Sequence, residues 1–416
     1  MATAGGMKIA TASEMSLDGV RILDFTWVVA GPVATRILAD HGAEVVKIER
    51  KNPPPLGNRK LGLQCDLHRG KLSFALNMQH PRGVELARQL AAKSDIVMDN
   101  FSARVMRSWG MDYESLRAVK PDIICISMSG LGHTGPLSSY VSYGPTLQAL
   151  TGYTLLMADP DGNPAGYGYS YADMCGGYSG ALAALIALWN RRRTGRGQFI
   201  DLSQFEAVAS VIGPAMLDIS ANERTQPPPG YVSQEGPAAP HGVYKCRALK
   251  NDDGTVDDDR WIAITVRTGP EWRRFVTALG SPSWASEPTF RTLYQRMRNS
   301  AALDANISRW TAERSAEDAM IALQRAGITA GVVQNGIDTC ARDPQLKERG
   351  FWPTVSTTKG ASTQVTGIPF KLSGVSGKVR TIAPEVGENN DYVLGELLGL
   401  GRAEQDSLIA DGIVWP

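Results

Sequence analysis

From residue 17 onward, short β-branched runs are each followed by a stretch of helical periodicity. VRILDFT (20–26) leads into PVATRILADHG (32–42), then AEVVKIE (43–49), and the cycle returns with VELARQLAAKS, SDIVMDNF, YESLRAVKP and DIICISMSG. Strands alternating with helices of about ten residues imply βαβ units and a mostly parallel sheet with right-handed crossovers. An α/β domain is therefore expected over 16–220. Five prolines and three glycines crowd 221–242, the composition of an exposed linker. After it, strands GVYKC and RWIAITV and helices around EWRRFVTALG and SAEDAMIALQRAG predict a smaller α+β domain over 243–335. Its acidic stretch NDDGTVDDD (251–259) reads as a solvated hairpin end, because EF-hand spacing is absent. Residues 336–416 form a C-terminal segment whose place the periodicity leaves open.

Composition removes several function classes. With 43 Lys+Arg against 42 Asp+Glu, neither a polyanion-binding surface nor a disordered activator is indicated, so nucleic acid is not an expected partner. Cys65, Cys125, Cys175, Cys246 and Cys340 are odd in number and far apart, and the five histidines show no ligand spacing; no disulfide framework or metal site is expected. Residues 1–15 carry one lysine and no apolar run, which reads as a disordered leader rather than a secretory signal. The apolar window Gly180–Trp189 is about half a bilayer span and reads as a buried helix. A cytoplasmic setting without membrane contact is the expectation.

Four groups of residues carry candidate chemistry. Gly130-Leu131-Gly132-His133-Thr134-Gly135 matches G-x-G-x-x-G, but Pro136, Leu137, Ser138 and Ser139 follow where a helix should open, so a dinucleotide fingerprint is not supported. Asp173 precedes the longest apolar helix. It reads either as a helix cap or, because Gly166, Gly168, Gly176, Gly177 and Gly180 crowd it and allow a ligand near the main chain, as a covalent nucleophile on an acyl carbonyl. Cys175 is a rival nucleophile, though a free cysteine is more often a buried apolar filler. The series Lys47, Arg50, Lys51, Arg59, Lys60, Arg69 and Lys71 is either a solvated face or a seat for nucleotide-like phosphates.

Segments recurring in order over 17–416 resemble the class III CoA-transferases, the family of formyl-CoA transferase and carnitine CoA-transferase. They include LDGVRILDFTWVVAGPVATRILADHGAEVVKIER (17–50), RGKLSFALNM (69–78), DIVMDNF (95–101), SYGPTLQALTG (142–152) and, most specific, YADMCGGYSGALAALIALWNRRRTGRGQFIDLSQFEA (171–207). The resemblance implies a Rossmann-like large domain built from both chain ends, a small inserted domain, and two interlocked subunits, either a homodimer or a hetero-oligomer with a paralogous subunit. It implies an acyl-CoA and a carboxylic acid as substrates, with coenzyme A thioester as substrate rather than a permanently bound cofactor.

Carried over by position, the resemblance assigns Asp173 as the nucleophile that passes through an aspartyl anhydride and an aspartyl-CoA thioester. It assigns CoA contacts to Val29, Ala30, Arg50, Leu76, Asn77, Met78, Gln79, Asn100 and Phe101, and places Tyr143 beside the pantetheine arm. The family's arginine seven residues after the phenylalanine is Ser108 here, with Arg104 or Arg107 as substitutes. The glycine-rich flap of formyl-CoA transferase has no counterpart between 230 and 265. α-Methylacyl-CoA racemases share the fold but pair the aspartate with a histidine where this chain has Tyr143, so two-base proton exchange lacks a partner. Family habit points to succinyl-CoA as donor, and SYGPTLQALTG resembles branches acting on dicarboxylates or aromatic acids such as benzylsuccinate. A non-catalytic acyl-CoA-binding subunit is the remaining alternative.

Overall fold

The computed structural model describes residues 15–52, 59–159, 161–166, 168–223, 236–251, 253–356 and 362–416. Residues 1–14 of the expected leader and 224–235 of the expected linker lie outside the described residues, as does part of the span searched for a flap. In chain order the elements are β1 (Arg21–Asp24), α1 (Ala30–Asp40), β2 (Glu44–Glu49), α2 (Gly62–His68), β3 (Leu72–Ala75), α3 (Pro81–Ala92), β4 (Ile96–Asp99), α4 (Val105–Ser108), α5 (Tyr113–Val119), β5 (Ile124–Ser129), α6 (Gly144–Leu150), α7 (Tyr153–Leu156), α8 (Tyr171–Thr194), β6 (Gln198–Ser203), α9 (Gln204–Val211) and α10 (Gly213–Asn222). There follow β7 (His241–Lys245), β8 (Leu249–Lys250), β9 (Val256–Asp257), β10 (Trp261–Thr265), α11 (Gly269–Ala278), α12 (Leu293–Arg298), α13 (Ser300–Ala312), α14 (Ala316–Arg325) and β11 (Thr329–Val333).

The chain divides into two compact units: one of 1–154, 166–222 and 348–416, the other of 155–165 and 223–347. Residues 336–347, grouped with the C-terminal segment on sequence, therefore fall in the second unit. That unit holds the antiparallel sheet β11-β10-β7 over a core that includes Ile262, Ile264, Trp272, Phe275, Leu303 and Leu323. The acidic stretch sits on the β8–β9 hairpin with Asp253 and Asp258 exposed.

The first unit is built on a six-stranded sheet, β3-β2-β1-β4-β5-β6, parallel throughout. Its central strands are apolar on both faces, as a sheet covered on two sides requires. Ile22, Val45, Ile96 and Ile124 face one core with α1 and α8. Their successors Leu23, Val46, Val97 and Cys125 face another with α3. The C-terminal segment completes this second layer through Val393, Leu394, Leu397, Leu408, Ile413 and Val414, and Val414 bridges to Leu76.

The buried helix expected over Gly180–Trp189 is buried on one side only. Small residues make that inner side of α8: a Cβ on Gly177 would lie 2.6 Å from Val33 Cβ and 2.9 Å from the Ala30 carbonyl oxygen, and one on Gly180 would lie 2.6 Å from Met128 Sδ. Large apolar residues occupy the other side, where Tyr178, Leu182, Leu185, Ile186 and Trp189 are exposed in an i, i+4, i+7, i+8, i+11 stripe. α8 is also the one described helix long and apolar enough to cross a membrane by length and composition.

The seam yields the first prediction. Gly177→Ala gains about 1 kcal/mol of helix propensity but forces a methyl against backbone, an overpacking that costs about 1–3 kcal/mol. A fall in the chemical denaturation midpoint is expected; an unchanged or raised midpoint would contradict the close approach.

Candidate active site

In a parallel sheet the loops leaving β1 to β5 emerge at one edge, and ligands bind there at the point where strand order reverses. Here the reversal lies between β1 and β4. Two buried carboxylates end those strands and shape the loops beyond them. Asp24 accepts from the Thr26 N–H at 2.8 Å; Asp99 accepts from the Phe101 N–H at 3.0 Å and the Ser127 hydroxyl at 2.6 Å. Burial pushes Asp99 up to about 6, with those two donors opposing. The loops are tied together by Asn100, whose side chain accepts from the Trp27 N–H at 2.8 Å and donates to its carbonyl at 2.9 Å. Trp27 and Phe101 pack at 6.2 Å beside them.

Most of the sequence-assigned CoA contacts lie on this edge. Val29 caps and Ala30 opens α1, whose first N–H groups have no side-chain cap, the usual setting for an anion at a helix start. Arg50 follows β2, exposed, and Arg104 is exposed at the start of α4. Gln79 is exposed beyond β3, but its three predecessors have other work. Leu76 and Met78 side chains belong to the core, and Asn77 is held by the C-terminal segment, its N–H on the Ile413 carbonyl at 2.8 Å and its side chain on that of Gly412 at 3.2 Å. Their backbone is largely committed as well, with the Leu76 N–H on the Glu49 carbonyl at 2.9 Å and the Asn77 carbonyl accepting from the His80 N–H at 3.1 Å. Ser108 donates to the Val105 carbonyl within its own helix.

Asp173 sits in the first turn of α8, half-buried. It is not the helix cap; Ser170 holds that position, without a side-chain cap bond. Among the described residues no backbone N–H is bonded to the Asp173 carboxylate, and its Oδ2 lies toward Gly144. The dipole of α8 favours its charge. Burial nevertheless raises its pKa, with the neighbouring Ser170 hydroxyl opposing; that hydroxyl is itself buried and out of hydrogen-bond alignment. Gly144 closes the other side. A Cβ there would fall 1.4 Å from Ser170 Oγ and 2.9 Å from Asp173 Oδ2, so the Tyr143–Gly144 backbone passes directly over the carboxylate. Tyr143 is exposed one residue before it.

These contacts revise the reading of the glycines. Gly176 abuts Gln204 of α9, Gly177 abuts α1 and Gly180 abuts Met128; they serve helix packing rather than ligand approach. Burial raises the Cys175 thiol, the opposite of the lowered pKa that marks an activated cysteine. The loop 130–143 runs without a helix to Gly144, and the His133 N–H is held by both oxygens of Asp201 at 3.0 Å, so the G-x-G-x-x-G match opens no dinucleotide site.

The basic series is also reassigned, because five of its seven members are committed inside the first unit. Arg59 pairs with Glu49, Lys60 with Glu385, Arg69 with Asp40 and Asp66, Lys71 with Asp24, and Lys47 donates to the Thr26 carbonyl. Arg50 and Lys51 are exposed. Burial alone would raise Asp24, but Lys47, Lys71 and two threonine hydroxyls outweigh it and hold the carboxyl below the usual range. Burial brings Lys71 down to about 7 against the pull of Asp24.

Residues 17–390 match the model of CoA-transferase family III. A probable CoA-transferase of Mycobacterium tuberculosis is 31% identical over 96% of this chain and 50% of its own length, so the chain spans about half of that relative. Succinyl-CoA–D-citramalate CoA-transferase of Chloroflexus aurantiacus is 28% identical over 96% of this chain and 98% of its own. Among solved structures, a CAIB/BAIF family protein from Brucella suis superposes with a TM-score of 0.82 at 27% identity, over 92% of this chain and all of that one.

The environment of Asp173 predicts a carboxyl that titrates above the ordinary carboxylate range. Difference infrared spectroscopy against Asp173→Asn reads it; a titration at or below the ordinary range would contradict the desolvated site.

Proposed function

Because the chain belongs to CoA-transferase family III, an enzyme family that moves CoA between acids, we propose that it transfers CoA from succinyl-CoA to a dicarboxylic acid with Asp173 as the covalent carrier. The observation that carries this reading is the Asp173 carboxylate itself, half-buried in the first turn of α8, without a backbone hydrogen bond among the described residues, and overlaid by Gly144. Relatives named for succinyl-CoA with citramalate, glutarate and malate support the substrate class.

The chemistry balances without ATP. Asp173 attacks the thioester carbonyl of the donor, forming a mixed anhydride and releasing CoA thiolate. The thiolate attacks the aspartyl carbonyl, giving aspartyl-CoA thioester and free succinate. The acceptor carboxylate then attacks that thioester to form a second anhydride and release the thiolate, which attacks the acceptor acyl carbon and restores Asp173. Each step exchanges one activated acyl bond for another of similar energy. The raised pKa of Asp173 fits a carboxylate of enhanced basicity, and the N–H groups at the start of α1 are in place to favour anionic groups on the ligand. Proton exchange at an α-carbon would need a second base opposite Asp173, and position 143 is a tyrosine.

We read the apolar stripe on α8 as covered by a second subunit, in the interlocked dimer of the family, with the second unit of the chain as its inserted small domain. Hydrocarbon exposed on five large side chains of one helix supports that reading, and relatives named as alpha and beta subunits leave a paralogue as the possible second chain. The buried unpaired thiols Cys65, Cys125 and Cys246 fit a reducing cytoplasmic setting.

Incubation with succinyl-CoA and hydroxylamine, followed by intact-mass analysis, is expected to place one hydroxamate at Asp173. In Asp173→Asn the adduct is absent and transfer falls by more than about 10³-fold. A full adduct in that variant would overturn the assignment. Light scattering of Leu185→Glu is expected to show half the wild-type mass, and an unchanged mass would remove α8 from the interface.

A further inference from the structure

A set of buried charges that the proposed reaction does not use lies beneath the first turn of α1. Asp24, fully buried, accepts from the Thr26 N–H at 2.8 Å and hydroxyl at 2.5 Å, from the Thr35 hydroxyl at 2.8 Å and from Lys71 Nζ at 3.2 Å. Lys71 is buried as well, and it also donates to the Thr35 hydroxyl at 2.7 Å and the Pro32 carbonyl at 3.2 Å. Lys47 reaches from β2 to the Thr26 carbonyl. Taking these ions out of water is costly, and an apolar trio of the same volume would serve stability as well or better.

What the network holds is therefore informative. Every backbone group it touches lies between Thr26 and Thr35, on either side of Val28. Val28 adopts φ 62°, a conformation β-branched residues avoid and one that persists only where the surroundings over-determine it. Thr26 is further wedged against Gly31, where a Cβ would come within 2.2 Å of Thr26 Cβ. Beyond the turn, Val28 and Met174, the neighbour of Asp173, both pack on the cluster of Val29, Val33 and Leu67. The network thus fixes the segment that enters the uncapped start of α1, which shares an apolar cluster with the turn that carries Asp173.

We propose that Asp24, Lys71 and Lys47 are positioning residues for the CoA thioester, holding the Thr26–Pro32 turn in its ligand-ready form before CoA arrives. Preorganisation lowers the ordering cost of binding, so its loss appears in affinity rather than in the chemical step. The inference rests on the reading of this edge as the CoA site.

Calorimetric titration of the full-length protein with CoA, beside steady-state kinetics, tests it. In Lys71→Met the Kd for CoA and the KM for acyl-CoA rise at least about 10-fold, while kcat at saturating acyl-CoA stays within about 3-fold and the acceptor KM is unchanged. Thr35→Val, which removes only the hydroxyl joining Asp24 to Lys71, shifts the same two constants in the same direction and serves if Lys71→Met does not fold. Wild-type CoA affinity in a folded variant, whatever its loss of thermal stability, overturns the positioning role while leaving the transferase reading intact. A wild-type protein that neither binds CoA nor transfers it ends both.

Discussion

The seam between α1 and α8 governs the geometry of this protein. Gly177 and Gly180 present no side chain toward α1 and β5, so the two helices approach as closely as their backbones allow. That approach lets Met174 pack on the cluster of Val29, Val33 and Leu67 and sets the start of α1 beside the turn that carries Asp173. Asp173, the proposed nucleophile, consequently rides on a 24-residue helix packed against the sheet rather than on a loop. Rigid support of this kind preserves a reactive geometry that a mobile segment would blur.

Two aspartates in the first unit illustrate how surroundings divide roles among like groups. Asp24 has two cations and two hydroxyls around it and stays ionised as a structural anion. Asp173 has no cation among its described influences, only a hydroxyl, and burial raises its pKa. The first is held too firmly to attack anything. The second is less well solvated and more basic, and it lies beneath Gly144.

The sequence made the sheet legible because its strands are short β-branched runs and its helices keep their period. It also singled out Asp173, although for a reason that needed correction. The glycines next to it in sequence pack helices, whereas the glycine that touches its carboxylate, Gly144, lies in another element, and no local spacing reveals that contact. The basic series misled in the same way: Lys71 finds Asp24 and Lys60 finds Glu385 across the fold, and long-range pairing leaves no mark on composition. The window Gly180–Trp189 reads as a buried helix because glycine, alanine, leucine and isoleucine all count as apolar; which side carries the small residues becomes meaningful only once α1 is known to lie against it.

Oxygen bookkeeping tests the central claim that Asp173 carries the acyl group. With unlabelled succinyl-CoA and succinate labelled with ¹⁸O in both carboxylates as acceptor, the account predicts that the peptide containing Asp173 gains ¹⁸O and that unlabelled donor leaves as succinate bearing one enzyme-derived oxygen. Label exchange between succinate and succinyl-CoA with no ¹⁸O ever entering Asp173 would contradict it.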